Sequence, residues 1–255
     1  YTARQLVRKW GKSCDDPVPG RSVSVVRIDT GEIIRVFARN EGTSPAAYAE
    51  APHALTSRNR VNNTPLDSPM IGTPVVYPSE AGSVARQFYV GDADGTMWKF
   101  DISDPNPDNW KGGIYYDVYH KEAVEADGPR TSPPISMNSD SLRAEAAQPI
   151  ALLPNLALDQ NGDLVLYVAT GDPENFVSRH FVSGDVENKN EAAKVPLVNY
   201  LVAIKEKLGT DNKMHAFNIA NISSPQPTDS WRHFMPYGER LAGPFVVFDR
   251  NIYYV

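Results

Sequence analysis

Apolar and aromatic residues fall in short runs separated by turn residues, and most runs are too short and too continuous to be amphipathic helices. Three runs carry a proline near their start, followed by β-branched, aliphatic or aromatic residues: 72–77, 148–153 and 243–248. Each is followed by a second run, at 87–92, 164–172 and 252–255. A third kind of run stands at 23–29, 96–101 and 200–205, and a fourth at 32–37, 114–119 and 213–219. Their β-branched and aromatic content predicts strands. Asp29-Thr30-Gly31, Asp92-Ala93-Asp94-Gly95 and Asn161-Gly162-Asp163 supply turns between them.

With the four kinds labelled A to D, the chain reads C-D, A-B-C-D, A-B-C-D, A-B. Recurring four-stranded antiparallel units are the blades of a β-propeller. The predicted fold is therefore all-β, one partial propeller over 1–255. It divides into C and D strands at 21–39, blades at 70–120 and 147–220, and the start of a further blade at 240–255. Segments 40–69, 120–147 and 175–195 are rich in Pro, Ser, Asn or charge and are expected to be surface loops. Leu197, Leu201, Ile204 and Leu208 also stand at helical spacing, so a helix over 191–208 is the rival reading. Pro196 would interrupt it, and the repeat order favours a strand. The total is three blades' worth, whereas closed propellers use typically about 4–8 blades. The expectation is a stretch of a longer polypeptide, with flanking strands lying outside it.

Composition narrows the class. Hydrophobic residues make up 41% and charged residues 22%, the balance of a folded globular chain. The 21 prolines favour strands and loops over long helices. A net charge of −6 argues against a nucleic-acid surface, and no apolar run approaches the ~18 residues of a membrane span. Cys14 is the single cysteine, which excludes an internal disulfide and a cysteine-based zinc site.

Several segments, in order, resemble the C-terminal β-propeller of the PilC/PilY-type proteins of type IV pili. They are Phe88-Tyr89-Val90-Gly91-Asp92-Ala93-Asp94-Gly95-Thr96-Met97-Trp98-Lys99-Phe100-Asp101, then 102–110 ending at Trp110, Gln148-Pro149-Ile150, Tyr167-Val168-Ala169-Thr170-Gly171, 200–205, and Trp231 followed by Gly238-Glu239-Arg240 and 244–248. The resemblance implies an extracellular or cell-surface protein at the pilus tip. Its implied partners are minor pilins, the pilus tip and a host or abiotic surface, and its implied roles are pilus assembly and adhesion. Some family members carry an Asp- and Asn-rich calcium loop between their A and B strands. Here that loop, 78–86, offers one carboxylate, Glu80, so the site is not carried over.

Few residues suggest chemistry. Asp159, Asn161 and Asp163 form a D-x-N-x-D pattern whose alternating oxygens would suit calcium, the one candidate metal site and the one candidate cofactor. Gly162 stands fourth rather than sixth, and no glutamate follows at the twelfth position. An Asn-Gly pair between apolar strands is equally a hairpin turn, and the turn fits better. Asp92, Asp94 and Asp101 read as turn formers. His53, His120, His180, His215 and His233 show no metal-ligand spacing, and no nucleophile–base pattern or G-x-S-x-G elbow occurs. Trp98, Trp110 and Trp231 read as packing between blades rather than as a sugar- or peptide-binding stripe. Arg240 beside Glu239 suggests an ion pair between blades.

The reading is a non-enzymatic docking platform. The alternative is a quinoprotein dehydrogenase propeller, whose repeat resembles 25–32, although those enzymes carry adjacent cysteines absent here. A generic interaction scaffold is the third reading; the Trp-Asp blade endings of one intracellular class are missing.

Overall fold

The computed structural model describes residues 20–38, 61–64, 66, 68–80, 82–93, 95–118, 148–172, 181–182, 194–195, 199–205, 231–235 and 239–255. Over these the chain is all-β apart from one 3₁₀ turn, Pro107–Asn109. The first sheet contains β1 (Ser22–Val26), β2 (Ile33–Ala38) and β3 (Val61–Asn63). The second contains β4 (Val75–Tyr77), β5 (Gln87–Gly91), β6 (Thr96–Asp101) and β7 (Lys111–Asp117), in that order and antiparallel throughout. The third places β8 (Asn155–Leu158), β9 (Leu164–Ala169), β12 (Tyr200–Lys205) and β13 (Arg232–Phe234) side by side, again antiparallel. A small ladder, β10 (Phe181–Val182) with β11 (Lys194–Val195), and a hairpin, β14 (Val246–Phe248) with β15 (Asn251–Tyr253), complete the strands.

The sheets stack face to face in chain order, and this explains the continuous apolar runs. Successive residues of a strand point to opposite faces. On β5 and β6, Phe88, Val90, Trp98 and Phe100 join the cluster shared with Phe37 of the first sheet. Tyr89 and Met97 point the other way, into the cluster shared with Leu166, Val168, Tyr200 and Val202 of the third sheet. A sheet buried on both faces needs apolar residues at nearly every position. The aromatic rings of the first interface interlock: Phe88 stacks on Phe100 at 4.5 Å, and Phe37 meets Phe100 edge-on at 4.8 Å. A bulge between β6 and β7 sets both Tyr115 and Tyr116 against the third sheet, while Ile114 faces the first.

Several expectations change. The A strand expected at 148–153 is instead Asn155–Leu158, directly after Pro154. Residues 148–150 are the lead-in: Pro149 accepts a hydrogen bond from Gly171 N–H, and Ile150 makes a single parallel bridge to Gly171. Ile150 thus corresponds to Met70, which bridges Asp92, and Pro149 to Pro69 rather than Pro74. Two prolines five residues apart in each lead-in made the repeat slip by one proline. The fourth strand of the third sheet is Arg232–Phe234; the expected D piece at 213–219 lies outside the described residues. Not all pairing is antiparallel, because β3 joins β2 in parallel. Nor are the insertions only loop: β3 lies in 40–69, and 175–195 contributes the β10–β11 ladder. The stretch 200–205 is strand, as the repeat order required, and not helix. The sheets form a stack; no closed ring is formed by the described residues.

Between sheets the backbone comes very close. Ile150 N–H donates to the carbonyl of Asp92 at 3.0 Å, and Gly72 N–H to that of Gly91 at 3.0 Å. A Cβ on Gly91 would overlap the carbonyl oxygen and side chain of Ile150, and one on Gly72 would stand 2.7 Å from Gly91 N. Gly91→Ala should therefore destabilise the protein by about 2–3 kcal/mol, the cost of overpacking against backbone. Gly243→Ala, where a Cβ meets nothing within 4 Å, should stay within about 0.5 kcal/mol. Urea midpoints of the two variants measure the difference.

Candidate functional site

The D-x-N-x-D segment closes the β8–β9 hairpin. Asp159 N–H donates to Asp163 O at 2.9 Å, and Gly162 N–H to Asp159 O at 3.0 Å. Gly162 takes a φ of +83°, which the turn requires and glycine adopts freely. Asp159 Oδ1 accepts from the N–H groups of Asn161 (2.8 Å) and Asp163 (2.9 Å), an Asx turn. Its other oxygen, Oδ2, accepts from Lys205 Nζ at 2.7 Å, and Asp163 Oδ2 lies 2.6 Å from the same ammonium. Lys205 comes from β12, where it is paired with Val165.

The structure thus brings Asp159 and Asp163 together around a cation, and the cation is a lysine. Calcium wants six to eight oxygens at its centre. Here one carboxylate oxygen is committed to backbone amides and two converge on an ammonium, so the geometry is that of an ion-paired turn. Among the described residues, no group of three or more His, Cys, Asp or Glu side chains is arranged to hold a metal. The hydrogen bond to Lys205 is the largest cause holding the Asp159 carboxyl below the usual carboxylate range, with the Asp163 and Asn161 amides adding to it. The same carboxylates hold the Lys205 ammonium well above its ordinary value. Burial, then the Asp159 charge, pushes the Tyr167 phenol up.

Asp92 has a purely architectural site. Fully buried, it accepts from Thr96 N–H through Oδ1 and from Trp98 Nε1–H through Oδ2, each at 2.8 Å. Thr170 is its counterpart in the third sheet, where Oγ1 accepts from Tyr200 N–H at 2.9 Å. Asp101 Oδ1 accepts from the N–H and hydroxyl of Ser103, so it too forms a turn. Asp94 lies outside the described residues, as do Cys14, His53, His120, His180 and His215, while His233 is exposed on β13. In the 78–86 loop, Ser83 N–H donates to Glu80 O and Arg86 N–H to Tyr77 O, closing it as a hairpin.

Polar side chains clamp the sheets at their D-strand side. Arg232 reaches from β13 to the second sheet, donating to Tyr116 Oη at 2.7 Å and Val118 O at 3.0 Å. Its guanidinium also lies 4.8 Å from the Tyr200 ring centroid. Between the first and second sheets, Asn62 donates to the carbonyls of Pro107 (3.0 Å) and Trp110 (2.8 Å), and Arg35 pairs with Asp108. Arg240 donates to Asp172 O at 3.3 Å, so it joins the third sheet to the hairpin lead-in through a backbone carbonyl. Of the three tryptophans expected to pack between blades, Trp98 is fully buried and Trp110 partly so. Trp231 corrects the packing expectation: it is 47% exposed, its ring 6.1 Å from that of Tyr167.

Sequence reasoning missed Lys205, Thr170 and Arg232 as functional parts of the frame. The first was within reach, because a lysine ending a C strand lies beside the A–B turn in this register. Arg232 carries no local signal, since Tyr116 and Val118, which accept its hydrogen bonds, stand over a hundred positions away.

No known family and no curated protein matches the sequence. Among solved structures, the crystal structure of the Pseudomonas aeruginosa PilY1 C-terminal domain is similar at 15% identity and a TM-score of 0.44. The match covers 92% of this chain and 50% of that one, so the chain spans half the length of that domain.

The ion-paired hairpin has a defined pH response. A carboxyl held below its unfolded value stabilises the fold above that value, and the contribution fades as pH falls through the lowered folded value. Lys205, held above its ordinary value, contributes below that ordinary value and loses its contribution only in strong alkali. Asp159→Asn should therefore lower the Tm at pH 7, and the gap to the parent protein should close on acidification below about pH 4. Thermal melts from pH 7 to pH 3 check this. Separately, Arg232→Ala should cost about 2 kcal/mol by removing charged hydrogen bonds, and Arg232→Lys should recover only part of it, read from urea unfolding.

Proposed function

We propose that this chain is part of a β-propeller that works without catalysis as a docking platform, in a surface protein of the PilC/PilY type. One observation carries the reading. The longest family-like motif, 88–110, spans β5, β6 and the turn into β7, at the centre of a four-stranded antiparallel sheet packed on both faces. The next motifs, 167–171 and 200–205, occupy the corresponding strands of the next sheet. The motif order is therefore also a spatial order.

The physical logic is that of a rigid frame with variable rims. Strands buried on both faces hold position, and recognition falls to the segments between them. In this reading the partners are minor pilins and a host or abiotic surface, the location is the pilus tip at the cell surface, and no cofactor is used. Calcium has no part at 159–163, because Lys205 supplies the positive charge there.

The test is made in the producing cell with the intact protein. Deleting its gene should reduce surface pili at least tenfold by electron microscopy, and immunogold should label the pilus ends. Cross-linking should capture minor pilins. Normal piliation, with quinone-dependent dye reduction by the purified intact protein, would replace this reading with the dehydrogenase alternative.

A further inference from the structure

Asn161-Gly162 is the one Asn-Gly pair in the chain, and it stands at the tip of the β8–β9 hairpin. Gly162 N–H donates to Asp159 O at 3.0 Å, and Asp159 N–H to Asp163 O at 2.9 Å. Neither Gln160 nor Asn161 has a positive φ, whereas Gly162 has a φ of +83°. The loop is therefore a type I turn closed by a left-handed glycine. Asn161 is exposed to water. A Cβ on Gly162 would meet nothing within 4 Å, so the space beside its nitrogen is open.

An asparagine before a glycine sets an electrophile, its side-chain amide carbon, next to a nucleophile, the following backbone nitrogen. Other residues shield that nitrogen with a side chain, and glycine does not. Attack forms a bond from Gly162 N to Asn161 Cγ and closes a five-membered imide. The Cγ–Nδ2 bond breaks, and the Gly162 amide proton leaves with Nδ2 as ammonia. Water, the one co-reactant, then adds across a C–N bond of the ring. Opening at Cγ gives aspartate. Opening at the main-chain carbonyl of Asn161 gives isoaspartate, with one extra carbon in the backbone.

The closed turn opposes this step. Gly162 N is held through its proton by Asp159 O, and the N–H groups of Asn161 and Asp163 are held by Asp159 Oδ1 at 2.8 and 2.9 Å. Turning the Asn161 amide onto that nitrogen means releasing Asp159. Asp159 is in turn fixed from another strand: Lys205 Nζ lies 2.7 Å from Asp159 Oδ2 and 2.6 Å from Asp163 Oδ2, one carboxylate on each side of the pair. A single lysine of β12 thus fastens both ends of the reactive loop.

We propose that Asn161-Gly162 is a site of self-modification, where the chain forms isoaspartate, and that the Lys205 ion pair is the gate that sets its rate. The product does not reclose the turn. An extra backbone carbon misaligns the Asp159–Asp163 hydrogen bond, and a carboxylate at 161 adds a third negative charge to two that already share one ammonium. Modification therefore converts a tight hairpin tip into a loose one, in one direction only. The inference stands apart from the pilus reading.

The test incubates the intact chain, and a peptide of residues 157–165, in mildly alkaline buffer. Isoaspartate at 161 is read by enzymatic methylation and peptide mapping. It should form in both, at least about tenfold more slowly in the folded chain, where the turn must first open. Lys205→Met should raise the folded rate about tenfold, through loss of charged hydrogen bonds. Asp163→Asn, which leaves Lys205 its bond to Asp159, should raise it less. Gly91→Ala, which weakens the fold in another sheet, is the control and should change the rate much less than Lys205→Met. Equal acceleration in those two variants would overturn the gate, because global unfolding would then set the rate. An unchanged rate in Lys205→Met would overturn it as well. Aspartate at 161 without isoaspartate would overturn the cyclic route, as would an unmodified Lys205→Met chain after the peptide has converted.

Discussion

Close approach of backbone between consecutive sheets is the constraint on which the rest of this structure depends. The chain entering the third sheet passes so near the end of β5 that Ile150 and Asp92 share a backbone hydrogen bond. No side chain fits between them, which is why Gly91 and Gly72 stand there. Once that spacing is set, the two sheets face each other at side-chain contact distance, and the cluster from Tyr89 to Ile204 fills the gap. A wider junction would leave those rings without partners, since voids forfeit dispersion contacts outright.

Burying both faces of a sheet leaves its strand ends with polar backbone groups that water cannot reach. The molecule answers this twice with the same device. Asp92 and Thr170 each end a B strand and each accepts the N–H that opens the next C strand. Only the aspartate also holds an indole, Trp98, because only the second sheet has a tryptophan at that place. The substitution of hydroxyl for carboxylate shows what is essential there: one well-placed acceptor, with the second oxygen needed only where a second donor is buried.

Legibility in the sequence followed the range of the interactions. Strands β5, β6, β7, β9 and β12 were readable because two buried faces make long apolar runs, and the A–B–C order was readable from turns between them. β3 and β13 have three residues each and no periodicity, so their pairing depends on partners far along the chain. The A strand at 155–158 was misplaced because the lead-in carries two prolines and only the second borders the ladder. At 159–163 the turn was legible and its lysine was not. The turn is written in five adjacent residues, whereas Lys205 enters through the β9–β12 register.

The same register argument bears on the difference between the two ends of the third sheet. On its side toward β7 the face is sealed, apolar in the middle and clamped at the rim by Arg232, which satisfies Val118 O and Tyr116 Oη while stacking on Tyr200. On its other side Ala169 and Leu201 pack with Leu241 and Phe245, Tyr167 and Ile252 lie against them, Trp231 stands half-exposed beside Tyr167, and the rim charge is the Asp159–Lys205–Asp163 group. A half-exposed indole leaves much of its apolar area in water, and a partly exposed ion pair is screened by water and salt. Both faces of the third sheet are thus apolar at the centre, one clamped at its rim by a cation that reaches the neighbouring sheet, the other bordered by an ion pair within its own strands.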